Sequence, residues 1–351
     1  VSTTQDLDPD AVDLSSFDLV LDVRPDATAR TGLPGASSAP LDQLLASPQR
    51  FVSSTRAKVL LVCDIGMRSG FAARALTDLG YTSVVSLAGG IDEWRRHGLP
   101  LTGTEGLTRA QLERFDRQVK LPGIGASGQA GLLSATATVV GAGGLGVPAI
   151  SYLAAAGLGT LRIVDPDVVE LSNLQRQPIY RTEEVGTYKV ESAARFVTEL
   201  TPETRVENHT VALDASNAQS LLEESDVVID ATDSFDARYA ISDACHRLGI
   251  PVVSGAVYRW EGQITTLDPD GPCYRCLFPE APAAPQQLDC ELIGAMGSVV
   301  ATIGTMQATE AIKLASGGQS AYAGVLVLYD GASGRFTDVS VARRGDCPVC
   351  G

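Results

Sequence analysis

The chain has 351 residues, 44% of them hydrophobic and 20% charged, an ordinary globular composition that excludes a wholly disordered chain and leaves room for two domains. Its formal charge of −15 opposes polyanions over most of the surface and, with no basic stripe, excludes nucleic acid as a partner, although phosphate can still bind in a local pocket. Residues 1–10 are polar and acidic, without the basic start and apolar stretch of a secretory signal, which predicts a cytoplasmic address.

In chain order, residues 19–23, 59–63 and 83–87 read as short apolar strands with helical stretches between them, a small α/β domain. The pattern closes at Gly98-Leu99-Pro100, and the polar, glycine-containing stretch 102–106 reads as a linker, placing one domain at 1–103 and a second at 104–351. Thr108 and Gln111 have capping-box spacing and predict a helix through Arg117. No charged residue falls between Lys120 and Arg162, yet the glycines rule out a membrane span. Residues 136–140 are β-type, 141–146 a turn, 147–156 helical and 160–164 β-type again, a buried βαβ unit. Residues 226–230 and 251–253 add buried strands to a sheet that is parallel at first. From Gln263 the pattern changes to strand pairs, and 324–329 with 335–341 flank Asp330-Gly331 as an antiparallel hairpin. The uncharged run 297–314 carries Glu310 and Lys313 and reads as a buried helix or a dimer surface, not a membrane helix. The expected fold is α/β, with a mixed sheet and antiparallel C-terminal strands in the second domain.

Cys63-Asp64-Ile65-Gly66-Met67-Arg68 follows a strand and precedes a helix, so successive backbone N–H groups can converge on the Cys63 sulfur. Such a nest stabilises a thiolate or a persulfide, and Arg68 adds positive charge. A lone cysteine at a strand end is more often a buried core residue, but here the surroundings add weight. Asp22-Val23-Arg24, the six-residue loop, and Leu87-Ala88-Gly89-Gly90-Ile91 with Trp94 together resemble a rhodanese domain over residues 7–101. That resemblance implies Cys63 as the acceptor of sulfane sulfur. Leu33 stands before Pro34-Gly35-Ala36 where the family often has His.

Gly141-Ala142-Gly143-Gly144-Leu145-Gly146 joins a strand to a helix, and Asp165 ends the next strand at the position that holds a ribose hydroxyl. The glycines bring backbone to a phosphate without naming the nucleotide. Arg176, Lys189 and Asp233, near the ends of successive elements, suit a triphosphate with magnesium better than a dinucleotide, because transfer at the α-phosphate builds charge that cations must stabilise. Arg114-Phe115-Asp116-Arg117-Gln118, the glycine loop, residues 172–177, Lys189, Asp233 and Glu261-Gly262-Gln263 resemble the MoeB/ThiF adenylyltransferases from 107 to 351. The resemblance implies Gly144 beside the phosphates, Asp165 on the ribose, Asn173, Arg176 and Lys189 on the phosphates, and Asp233 on magnesium. It also implies Arg117 as a finger reaching the nucleotide of the other subunit of a homodimer. Phe115 replaces the commoner Tyr.

Cys273 with Cys276 and Cys347 with Cys350 form two CxxC pairs that complete a tetrahedral thiolate shell for a structural zinc. Cys245 reads as core. Cys290 lies where the family carries a cysteine on a crossover loop, a thiol able to trap an acyl group or relay a persulfide. His97, His209 and His246 show no ligand spacing and read as surface or helix-end residues.

The two resemblances imply an enzyme that adenylates the C-terminal Gly-Gly carboxylate of a ubiquitin-like sulfur-carrier protein with ATP. A Cys63 persulfide, loaded by a cysteine desulfurase or thiosulfate, would then yield a thiocarboxylate. The alternative is an adenylyltransferase whose rhodanese domain only docks a partner. The rhodanese domain stands first in this chain, whereas it follows the adenylylation domain in the familiar fused relatives.

Overall fold

The computed structural model describes residues 6–25, 32–102, 106–281 and 294–351. The chain divides into two units, Val1–Ser127 and Gly128–Gly351, so residues 106–127 group with the first.

In the first unit a five-stranded sheet has the order β1-β5-β4-β2-β3 and every pairing is parallel. The strands are β1 (Asp6–Leu7), β2 (Leu19–Asp22), β3 (Ser37–Ser38), β4 (Val59–Val62) and β5 (Val84–Leu87). β4 reads Val-Leu-Leu-Val and is buried throughout, as a central strand covered on both faces must be. Its Leu61 packs with Leu21, Ala72 and Leu76 on one side, and its Leu60 and Val62 with Leu87, Ile91 and Trp94 on the other. Helices α1 (Leu41–Ala46), α2 (Met67–Asp78) and α3 (Gly90–Arg96) complete this α/β layer.

The capping box at Thr108 and Gln111 forms in both directions, but the helix it opens does not reach Arg117. It breaks at Phe115, whose ring is buried and whose φ of −101° and ψ of 15° leave helical space, giving α4 (Arg109–Arg114) and α5 (Asp116–Val119). Arg95 of α3 bonds Asp92 and Asp116 at 3.2 and 3.1 Å, and Lys120 bonds the same two carboxylates at 3.2 and 3.0 Å.

The second unit carries an eight-stranded mixed sheet of order β13-β12-β11-β10-β9-β6-β7-β8. β6 (Thr136–Val140), β7 (Thr160–Val164), β8 (Arg205–His209), β9 (Val227–Asp230) and β10 (Val252–Tyr258) run parallel; β11 (Glu261–Leu267), β12 (Val325–Asp330) and β13 (Arg335–Ser340) continue antiparallel. β8 is polar and only half buried, so no apolar run marks it in the sequence. The turn at Asp330-Gly331 is wider than a two-residue hairpin. Asp330 pairs with Arg335, its carboxylate takes the N–H groups of Ala332 and Ser333 at 2.9 and 3.2 Å, and the left-handed residue is Gly334, at φ 69°.

Helices α6 (Gly125–Ser134), α7 (Gly146–Ala156), α8 (Lys189–Leu200), α9 (Ala218–Leu222), α10 (Phe235–Leu248), α11 (Tyr274–Leu277) and α12 (Gly297–Ala315) follow in chain order. α7 and α12 cover one face of the sheet over a core that includes Ile150, Leu153, Ile163, Ile229 and Ile303. α9 and α10 cover the other face, over Leu222, Val228, Ile241 and Cys245. Burial pushes the Cys245 thiol up to about 12, as suits the core role expected of it. Among the described residues no helix is long and apolar enough to cross a membrane.

β6 is flanked by β7 on one side and β9 on the other, so the chain winds outward through β7 and β8 and returns beyond β6. The carboxyl ends of β6 and β9 therefore border the topological switch point, where open α/β sheets bind ligands.

Candidate active sites and a cysteine cluster

Gly141, directly after β6, has φ +97°, and a Cβ there would lie 2.7 Å from the Ala231 carbonyl that follows β9. The two loops at the switch point thus meet backbone to backbone, which only glycine permits at this position. A Cβ on Gly146 would stand 1.8 Å from the Gly141 carbonyl, so the loop closes on itself before α7 begins. A Cβ on Gly144 would lie 2.7 Å from Val300 Cγ1 and 3.4 and 3.5 Å from Cγ and Cδ of Arg176. The structure thereby brings the stem of Arg176 over the glycine turn, and the Arg176 guanidinium donates to the Ser172 carbonyl at 3.0 Å. Gly143 faces the buried Gln177, whose Nε2 lies 3.8 Å from where a Cβ would be.

Asp165, at the end of β7, is buried and accepts from the N–H of Ala142 at 2.6 Å and of Asp167 at 2.8 Å. Burial holds its carboxyl above the ordinary aspartate range, against the nearby Lys189 charge and the two backbone donors. Lys189, first residue of α8, is buried with its Nζ on Asp167 Oδ2 at 2.7 Å. Asn173 is buried in a short 3-10 turn, Leu171–Asn173, and its Oδ1 accepts from the Glu170 N–H at 3.2 Å. Asp233 is exposed in the loop between β9 and α10, whereas its neighbour Asp230 is buried and accepts from Thr232 and Ser254 hydroxyls, each at 2.7 Å. Arg117 is exposed on α5 in the first unit, and Cys290 lies outside the described residues.

Three supporting residues carry no motif. Tyr180 donates its hydroxyl to the Ala142 carbonyl at 2.7 Å, bracing the glycine loop. Gln307 enters from α12 and donates to the carbonyls of Asp230 and Val253 at 2.8 and 3.0 Å. Arg238 is buried in α10 and donates to the carbonyls of Thr232 and Gly255 at 2.6 and 3.2 Å. An amide alone in an apolar helix and an arginine on a buried helix face are the only sequence signals, since all their partners but Thr232 lie far along the chain.

In the first unit Cys63 follows β4 and is buried, the residue 1% exposed. Sγ accepts from the Ser69 N–H at 3.4 Å, the first turn of α2. Gly66, at φ +84°, caps α2, and its absent Cβ would lie 3.1 Å from Gly89 N. Asp64 does not point at the sulfur but takes Arg24 at 3.2 Å and Arg68 at 3.6 Å. Arg68 is therefore tied to the loop carboxylate. Arg24, buried, also pairs with Asp22 at 2.6 Å. Ile65 and Met67 are exposed on the rim.

The four cysteines of the two CxxC pairs gather in the second unit with every Sγ within 4.8 Å of the others. Cys273 and Cys347 sulfurs are 3.5 Å apart and those of Cys276 and Cys350 3.3 Å. Zinc–thiolate bonds of about 2.3 Å in a tetrahedron place sulfurs about 3.8 Å apart, so the donor set and its spacing fit a zinc ion. The Arg344 N–H donates to Cys276 Sγ at 3.4 Å. Burial raises the Cys273 thiol, whereas backbone donors from Cys350 and Val349 overcome burial at Cys347 and pull it down to about 6.

Residues 115–349 match the ThiF family, and residues 7–97 match the rhodanese-like domain. SAMP-activating enzyme E1 of Haloferax volcanii is 50% identical over 71% of this chain and 92% of its own length. Sulfur carrier protein adenylyltransferase of Thermus thermophilus is 44% identical over 70% and 92%. Adenylyltransferase and sulfurtransferase MOCS3 of Caenorhabditis briggsae is 41% identical over 70% of this chain and only 62% of that longer protein. A crystal structure of E. coli MccB with MccA-N7isoASN shares the fold at a TM-score of 0.60, with 20% identity over 68% of this chain and 75% of that one. The chain belongs to the ThiF family of adenylyltransferases and carries a rhodanese-like domain on its N-terminal side.

Proposed function

We propose that this chain uses ATP to adenylate the C-terminal Gly-Gly carboxylate of a ubiquitin-like sulfur-carrier protein, and that sulfur from a Cys63 persulfide converts the acyl-adenylate to a thiocarboxylate. The observation that carries the reading is the meeting of the 141–146 turn, the Ala231 loop and the Arg176 stem at the switch point, the place where a glycine turn and a helix N-terminus suit a phosphate chain. The relatives named as a sulfur carrier protein adenylyltransferase and as an adenylyltransferase and sulfurtransferase support the substrate class.

In this reading the carrier carboxylate attacks the α-phosphorus and pyrophosphate leaves. Asp165 orients the ribose; Asn173, Arg176 and Lys189 hold the phosphates, with Lys189 exchanging its Asp167 contact for a phosphate oxygen. Asp233 would hold magnesium, which would supply charge neutralisation on the phosphates. Arg117 completes the nucleotide site of a second subunit in a homodimer. The terminal sulfur of the Cys63 persulfide attacks the acyl carbon and AMP leaves, giving an acyl disulfide. A thiol, from Cys290 or a reductant, then attacks the Cys63 sulfur and releases the thiocarboxylate, forming a disulfide with Cys63. Cys273, Cys276, Cys347 and Cys350 would hold zinc in a closed shell that would tie residues 347–350 to 273–276 and leave no open position for chemistry. The sulfur donor is a cysteine desulfurase or thiosulfate, the domain boundary falls at 103, and the setting is the cytoplasm.

Carrier-dependent exchange of pyrophosphate into ATP tests the activation step. Lys189→Ala and Arg176→Ala should each lower exchange about 100-fold without loss of fold. Absence of exchange with every Gly-Gly carrier tried contradicts the reading.

A further inference from the structure

Behind the Cys63 sulfur lie two buried hydroxyls that no motif accounts for. Ser69, in the first turn of α2, and Ser86, in β5 among Val84, Val85 and Leu87, are both fully buried. Ser86 Oγ donates to Ser69 Oγ at 3.0 Å. Ser69 Oγ in turn stands 3.4 Å from Cys63 Sγ and 3.2 Å from the Gly66 carbonyl.

A serine hydroxyl has one proton to give, so Ser69 donates either to the Gly66 carbonyl or to the sulfur. With Cys63 as a thiol, its S–H is free to donate to Ser69 while Ser69 donates to Gly66. With a charged sulfur, which only accepts, Ser69 turns its proton onto the sulfur beside its own backbone N–H. Ser86 donates to Ser69 in both states. Only in the charged state do all the bonds point at the sulfur, each polarising the next. Charged groups border this chain at both ends. Asp6 and Arg74 come with Ser86 Oγ to within 3.9–4.0 Å of where a Gly70 Cβ would be, and Asp64 lies on the loop side with Arg24 and Arg68. None of them interrupts the chain from Ser86 to Ser69 to Cys63.

We propose that Ser86 is a positioning residue for Cys63: by donating to Ser69 it polarises the hydroxyl that Ser69 turns onto a charged sulfur, and so sets how readily Cys63 carries negative charge. The inference deepens the reading of Cys63 as the sulfur carrier and rests on it for its purpose. Its physical content stands on the hydroxyl chain alone.

The test is the pH profile of iodoacetamide alkylation at Cys63 in the full chain, followed by mass spectrometry of the Cys63 peptide. Ser69→Ala should move the midpoint up by about 1 unit, the worth of one hydrogen bond to a charged atom. Ser86→Ala should move it up by about 0.3 unit through lost polarisation, roughly halving the rate below the midpoint. In the Ser69→Ala background Ser86→Ala should add nothing, because Ser86 acts only through Ser69. Ser86→Thr and Ser86→Val are isosteric and keep the comparison valid if Ser86→Ala does not fold; the Thr variant should react with the lower midpoint of the two. Equal profiles for Thr and Val, or an undiminished Ser86 effect in the Ser69→Ala background, overturn the proposal. A wild-type protein that shows the predicted alkylation pattern yet takes up no sulfur from thiosulfate or a cysteine desulfurase upholds the hydroxyl chain and removes the sulfur-carrier reading instead.

Discussion

Gly90→Ala is the sharpest perturbation of the Cys63 loop that leaves its side chains untouched. Gly90 has φ +64°, and a Cβ there would lie 2.3 Å from the Cys63 carbonyl and 2.6 Å from that of Asp64. These two carbonyls accept the N–H groups of Ile91 and Asp92 at 2.9 and 3.0 Å, so the methyl strikes the contact that fixes the loop. A left-handed non-glycine residue costs about 1–2 kcal/mol, and relief of the overlap adds about 1–3 kcal/mol. The sum, about 2–5 kcal/mol, is a large share of the 5–15 kcal/mol or so that holds a typical domain. Gly80→Ala supplies the control, because Gly80 has φ +91° with nothing within 4 Å of a Cβ and should cost the conformational part alone. Urea unfolding of both variants, with Cys63 alkylation rates read in parallel, measures the difference. The reasoning is refuted if Gly90→Ala costs no more than Gly80→Ala and leaves Cys63 reactivity unchanged.

Further outcomes follow from the second unit. Cys347→Ser should abolish a stoichiometric zinc seen by elemental analysis and forfeit most of a site worth about 10 kcal/mol in small zinc domains; a metal-free wild type of equal stability contradicts this. Gln307→Leu, which removes the donor to two buried carbonyls, should cost about 1–3 kcal/mol by thermal unfolding. Because burial holds the Asp165 carboxyl above the ordinary range, it protonates earlier than most aspartates as pH falls. ATP affinity measured by calorimetry should therefore weaken well before pH reaches about 4, and a flat profile down to that point contradicts a role for the Asp165 carboxylate on the nucleotide.

Local patterns made much of this protein readable. The glycine turn between β6 and α7, the paired CxxC motifs and the strand-to-helix loop at Cys63 are each contiguous, and each constrains its backbone directly. Tertiary contacts were invisible for the opposite reason. Tyr180 meets Ala142, and Gln307 meets Asp230, only because the sheet order brings them together. The polar edge strand Arg205–His209 buries too little on either face to leave an alternating pattern. The helix expected to run through Arg117 breaks at Phe115, whose ring is buried, a change no capping residue announces. The Asp330-Gly331 dipeptide carries a hairpin signal, but the Asp330 carboxylate takes the turn's N–H groups itself and moves the left-handed position to Gly334.

The most direct test of the account is the intact mass of a Gly-Gly-ended carrier protein incubated with this chain, ATP, magnesium, thiosulfate and reductant, alongside Cys63→Ala. The account predicts an oxygen-to-sulfur mass increase with the wild-type chain and its loss in the variant. An adenylate that forms without sulfur uptake would reduce the N-terminal domain to a docking module, and no ATP-dependent change in any plausible carrier would contradict the activation chemistry itself.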